Sequence, residues 1–128
     1  MASSSPQKKI LIVDDDPLIV RMYERKLTKE GFAITLAANG EEGLKALEKE
    51  TPDLVLLDVL MPKMNGWEAL KKIKENPKTK NIPIITLTSL GDKPADIQKF
   101  KDAGVKEYLV KSEVDLKTLV ATIWKHLS

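Results

Sequence analysis

The chain predicts an α/β domain: a five-stranded, doubly wound parallel sheet with helices on both faces. Three observations predict it. Short runs rich in Val, Ile and Leu alternate five times with longer amphipathic stretches. The strongest runs are apolar at every position, as in strands buried on both faces. Chemistry-bearing residues stand at the far ends of these runs, and in open parallel sheets ligands bind just beyond the carboxyl ends of the strands.

Residues 9–14 read as the first strand, built on Ile10-Leu11-Ile12-Val13 and running into Asp14-Asp15-Asp16. Residues 17–30 read as a helix. Asp16 is placed to cap it, Pro17 suits the first helical position and Gly31 ends it. Residues 33–37 form a weaker strand of mixed polarity, suited to a sheet edge. Residues 40–50 are helical, and Pro52 blocks continuation. Residues 53–58 are the strongest strand, Leu54-Val55-Leu56-Leu57 ending in Asp58. Residues 66–75 are helical, 83–88 strand, 93–103 helical and closed by Gly104, and 107–110 a short strand. Residues 114–127 carry Leu116, Leu119, Val120, Ile123 and Leu127 at helical spacing. Right-handed crossovers restrict the topology. The order 2-1-3-4-5 makes the weak second strand an edge and sets the first and third strands side by side. That order gathers Asp14, Asp15 and Asp58 at one point.

Like charges that close cannot all stay ionised without help. A divalent cation supplies it, and oxygen-only ligands suit Mg²⁺. The fourth strand adds the hydroxyls of Thr88 and Ser89, the fifth adds Lys111, and the loop after Asp58 adds backbone groups around Leu60 and Met61. Carboxylates, a hydroxyl and an ammonium are what a phosphoryl group needs: a nucleophile, a hydrogen-bond donor and neutralising charge. Singly, each has a plainer role. Asp16 is a helix cap, Thr88 and Ser89 could satisfy a turn, Lys111 could be a surface lysine, and Tyr108 an aromatic on an edge strand. Their joint placement at successive strand ends favours the functional reading.

With 128 residues the chain is one domain with one core: a polar leader over residues 1–7, then a domain over 8–128. The leader lacks the apolar stretch of a secretory signal and reads as disordered. No apolar run approaches bilayer length, so no membrane span is expected. Absence of cysteine excludes disulfides and thiolate metal sites, and one histidine, His126, excludes a histidine cluster. The expected compartment is the cytoplasm. A net charge of +2 is too mild for nucleic-acid binding, and Lys71, Lys72 and Lys74 read as a solvated helix face. Trp67 and Trp124 read as packing residues.

The segments Ile10–Pro17, Leu56–Gly66, Ile84–Ser89 and Tyr108–Lys111 resemble the receiver domain of two-component response regulators, the CheY-like family. The resemblance spans residues 8–127 and implies a flavodoxin-like (βα)5 fold. It implies that Asp58 is the phosphoacceptor, that Asp14 and Asp15 position Mg²⁺ with Asp15 the favoured direct ligand, and that the Leu60 carbonyl is a further ligand. It makes Lys111 the phosphoryl-pairing lysine, Thr88 the switch hydroxyl and Tyr108 the aromatic that changes rotamer with it. The implied donor is a sensor histidine kinase or phosphotransfer protein, with small phosphodonors as substitutes and self-dephosphorylation expected. The implied output is an altered surface of the fourth helix, fifth strand and fifth helix, offered to an output protein. The chain reads as stand-alone, a monomer able to dimerise on phosphorylation.

Two departures from the family pattern stand out. Ser112 replaces the usual proline after Lys111. A cis bond before a non-proline residue costs about 2.5–4 kcal/mol, so a trans bond is expected there. Leu60 and Leu90 flank the expected path of the attacking water and can neither orient nor activate it, so a long-lived phosphoryl state is expected. A phosphatase using an aspartyl nucleophile would need a second aspartate where Leu60 stands. A phosphorylation-silent module would not need Asp14, Asp15, Asp58, Thr88 and Lys111 together.

Overall fold

The computed structural model describes residues 7–59, 66–88 and 94–127. Ten elements alternate along them: β1 (Lys9–Val13), α1 (Pro17–Lys29), β2 (Ala33–Ala37), α2 (Gly40–Lys49), β3 (Leu54–Asp58), α3 (Gly66–Glu75), β4 (Ile84–Thr88), α4 (Pro94–Asp102), β5 (Glu107–Val110) and α5 (Leu116–Leu127). The strands pair in parallel in the order β2-β1-β3-β4-β5, the predicted fold class and topology. Residues 1–6 of the expected leader, Leu60, Met61, Ser89 and Leu90 lie outside the described residues. Gln7 is described, and its side-chain amide donates to the carbonyl of Gly31 at 3.1 Å.

The strands are buried because two cores, one on each face of the sheet in place of the single core expected, cover them. On one face Leu11, Val13, Val55, Leu57 and Ile84 pack with Leu47, Leu70, Ile73 and Phe100. On the other, Ile10, Ile12, Leu54, Leu56, Ile85 and Leu87 pack with Tyr23, Leu27, Leu119 and Ile123. Successive strand residues alternate between the two faces. Continuing that alternation puts Asp14, Asp58 and Lys111 on the α1/α5 side, and Thr88 and Tyr108 on the side of α2, α3 and α4. β2 is the edge that its mixed composition predicts, with Leu36 41% exposed.

Local chemistry sets the element ends. The Asp16 carboxylate accepts from the backbone N–H groups of Leu18 at 3.0 Å and Ile19 at 3.4 Å, the expected cap on α1. Gly31 and Gly104 take positive φ, as the turns after α1 and α4 require. α2 starts on a reciprocal pair: Asn39 accepts from the Glu42 N–H at 2.9 Å, and Glu42 accepts from the Ala38 N–H at 3.1 Å. α5 begins at Leu116, two residues later than its apolar spacing predicts. Asp115 caps it by accepting from the Thr118 N–H at 2.7 Å, so Val114 and Asp115 stay outside.

Two expectations about the surface change. Lys71 and Lys72 are exposed, but Lys74 is half-buried and donates to the Lys80 carbonyl at 3.0 Å. Burial, and then repulsion from Lys106, push its ammonium below the ordinary lysine range. Trp124 packs against Phe32, ring centroids 4.7 Å apart, yet remains 47% exposed. Among the described residues no peptide bond is cis, as expected for Lys111–Ser112. No described helix is long and apolar enough to cross a membrane.

Candidate phosphoacceptor site

The parallel register builds the site. β1 and β3 pair directly, with Val13 opposite Leu57, so the residues that follow, Asp14 and Asp58, arrive side by side. One carboxylate oxygen each from Asp14, Asp15 and Asp58 lies within 4.8 Å of the others. Asp14 and Asp58 are buried, while Asp15 is exposed at the rim. β4 pairs with β3, and Thr88, fully buried, ends that strand beside Asp58. β5 pairs with β4, and the Lys111 backbone N–H donates to the Thr88 carbonyl at 2.7 Å. Asp14, Asp15, Asp58, Thr88 and Lys111 therefore gather at one end of the sheet.

Charge within the cluster is already partly balanced. The Lys111 ammonium lies 2.6 Å from one Asp14 oxygen and 3.5 Å from one Asp58 oxygen. The other Asp14 oxygen accepts from the Asp16 N–H at 3.0 Å. Asp14 is thus committed at both oxygens, and it shares the Lys111 ammonium with Asp58. Burial alone would push the Lys111 ammonium down. The hydrogen bond and charge of Asp14, with the charge of Asp58, outweigh it and hold the group above the usual lysine range.

Two residues belong to the surroundings although no strand end marks them. Tyr23, on the inner face of α1, is 3% exposed and close enough to feel three of the site charges. Burial raises its phenol above the usual range; Lys111 pulls it down, while Asp14 and Asp58 add to the rise. Its signal in the sequence is faint: a phenol in the apolar stripe Ile19, Tyr23, Leu27. Gly66 opens α3, and its N–H donates to the Val59 carbonyl at 2.9 Å. A Cβ there would run into the Asp58 carbonyl oxygen and the Val59 Cα. Only glycine lets α3 start against the backbone that carries Asp58.

Tyr108 sits half-buried on β5 opposite Thr86, its ring 5.3 Å from that of Phe100. The Leu60 carbonyl, the remaining expected metal ligand, lies outside the described residues. The acidic trio meets the chemistry of a hard divalent cation: oxygen donors, two of them buried, converging on one space.

A carboxylate trio with a paired lysine at the carboxyl ends of a 2-1-3-4-5 sheet defines a class, and sequence comparison gives it a family. The chain belongs to the response regulator receiver domain family, whose profile matches residues 10–123. It is 43% identical over 105 residues to the probable transcriptional regulator ycf27 of Cyanophora paradoxa, covering 82% of this chain but only 42% of that protein. It is 37% identical over 115 residues to the protein PilH of Pseudomonas aeruginosa, 90% of this chain and 93% of PilH. Its fold superposes on the chemotaxis protein CheY4 of Vibrio cholerae with a TM-score of 0.88 at 33% identity, covering 95% of this chain and all of that one. The chain is thus a two-component signalling domain.

Proposed function

We propose that this chain is a stand-alone response regulator that accepts a phosphoryl group on Asp58 from a histidine kinase or phosphotransfer protein. The observation that carries this is the meeting of Asp14, Asp15 and Asp58 within 4.8 Å, with the Lys111 ammonium wedged against two of them. The match to PilH over 93% of that protein's length supports the stand-alone reading.

In the transfer, an Asp58 carboxylate oxygen forms a bond to phosphorus as the donor's phosphorus–nitrogen bond breaks. The donor imidazole keeps the electron pair and takes a proton. Asp14, Asp15 and Asp58 would hold Mg²⁺, with the Leu60 carbonyl as a further ligand, and the ion supplies charge neutralisation to the phosphoryl oxygens. Lys111 is 3.5 Å from Asp58 before reaction and needs little movement to reach a phosphoryl oxygen. Thr88 donates its hydroxyl to another. The acyl phosphate puts a dianion where a monoanion stood. Thr88 moves toward it, Tyr108 turns into the space released, and the α4-β5-α5 surface shifts between states that already coexist.

The test is to incubate the protein with Mg²⁺ and acetyl phosphate and measure its mass. A gain of one phosphoryl group is expected in the parent and none in Asp58→Ala; equal gains in both would sink the assignment. The same sample checks lifetime. Leu60 and Leu90 offer the attacking water no polar group, so the gain should decay slowly and should decay faster in Leu60→Asn/Leu90→Glu. An unchanged decay rate in that double variant would remove the role given to the two leucines.

A further inference from the structure

Three aromatic rings join α3, α4 and β5 in a continuous contact. Trp67 meets Phe100 edge-on, centroids 5.2 Å apart and planes at 79°. Phe100 in turn meets Tyr108 at 5.3 Å and 57°. Phe100 is 4% exposed and belongs to the core, so it cannot shift without displacing one neighbour or the other. At the outer end, the Lys99 ammonium lies over the Trp67 ring, 4.0 Å from its centroid. Trp67 also follows directly on Gly66, the residue pressed against the Asp58 backbone.

We infer that Phe100 is a positioning residue that couples Tyr108 to Trp67. The Trp67–Lys99 face of α3 and α4 then becomes a second surface that responds to the state of Asp58. This rests on reading Tyr108 as the aromatic that moves on phosphorylation. When Tyr108 turns, it withdraws from or presses on Phe100. The close-packed interior passes the displacement to Trp67 as a discrete repacking, and the cation–π contact with Lys99 changes with it. The alternative route is short and direct: Asp58 to Gly66 to Trp67 along the backbone. The two routes differ in whether they need the ring of Phe100.

The experiment uses Trp124→Phe as background, so that Trp67 is the single tryptophan, and Mg²⁺ with beryllofluoride as the probe. Emission from Trp67 should change on adding the probe. The change should be lost in Phe100→Leu and in Tyr108→Leu, while both variants still gain a phosphoryl group from acetyl phosphate by mass. Phe100→Met, whose unbranched, flexible side chain can fill more of the space the ring leaves, repeats the test if Phe100→Leu unfolds. A response retained in both the Phe100 and Tyr108 variants would overturn the relay and leave the direct route through Gly66. A parent that gains mass without any Trp67 response would overturn it too. A parent that gains no mass would instead defeat the proposed phosphoacceptor function, and the relay with it.

Discussion

Replacing Lys111 by methionine is expected to destabilise the protein by about 3–5 kcal/mol in the absence of divalent cations, the cost of breaking one buried pair and stranding its partner. Methionine keeps most of the apolar stem, so the loss isolates the charge. The Lys111 side chain is 9% exposed and its partners Asp14 and Asp58 only 3% and 5%, so water cannot replace the ammonium cheaply. Removing it leaves two buried carboxylates and the rim carboxylate of Asp15 facing one another. The Lys9–Glu50 pair makes the contrast. It has a similar separation, 3.0 Å, but its side chains are 45% and 56% exposed, and its loss should change stability by less than about 1 kcal/mol. Urea unfolding measures both, with a fall in midpoint of roughly 1.5–2.5 M for Lys111→Met if the slope is near 2 kcal/mol/M.

Mg²⁺ should narrow the gap. In the parent, Lys111 competes for the oxygens that the ion would take; in the variant that competitor is gone. The ion therefore binds the variant more tightly and stabilises it more at a given concentration. An unchanged midpoint in Lys111→Met, or weaker Mg²⁺ binding than in the parent, would refute this account of how the cluster is balanced. The site is thereby balanced, not only assembled: the Lys111 ammonium offsets the charge of Asp14 and Asp58 from within the chain.

The strand ends made the site legible in the sequence. Ile10–Val13 and Leu54–Leu57 are too short for helices and too apolar for edges, so the residues after them had one place to go. Topology then set Asp14 beside Asp58. The preference of Lys111 for Asp14, 2.6 Å against 3.5 Å, was not legible, because it depends on side-chain reach across two strands. Nor was the place of Tyr23, whose spacing marks it only as core. Phe100 and Tyr108 lie on different elements, and no local pattern announces that their rings touch. Lys74 departs from its helical pattern for a related reason. Helical spacing placed it among exposed lysines, whereas the turn at Gly104 folds over its side chain. Periodicity reports which face a residue is on, not what a distant loop does to that face.

Gly66→Ala should damage the site without touching a charged group. The added Cβ would meet the Asp58 carbonyl oxygen and stand 2.6 Å from the Val59 Cα, and both are backbone atoms with no rotamer to change. Relief requires the start of α3 to move off the end of β3, stretching the 2.9 Å hydrogen bond from Gly66 to Val59 and dragging the peptide that carries Asp58. Overpacking of this kind costs about 1–3 kcal/mol and sometimes more, and a rigid backbone neighbour puts Gly66 at the upper end. In a domain of this size that lowers the melting temperature by roughly 5–15 °C. Two other glycines calibrate the effect. A Cβ at Gly43 would meet the Val13 methyls at 3.0 and 3.3 Å, and a side chain can yield a few tenths of an ångström. Gly31 has open space around it, so alanine there pays only for its positive φ, about 1–2 kcal/mol. Gly66→Ala should therefore be the least stable of the three, and it alone should also lose phosphoryl uptake from acetyl phosphate at a temperature where it is still folded. Full uptake in folded Gly66→Ala would show that α3 can retreat without disturbing Asp58, and would separate the helix from the chemistry of the site.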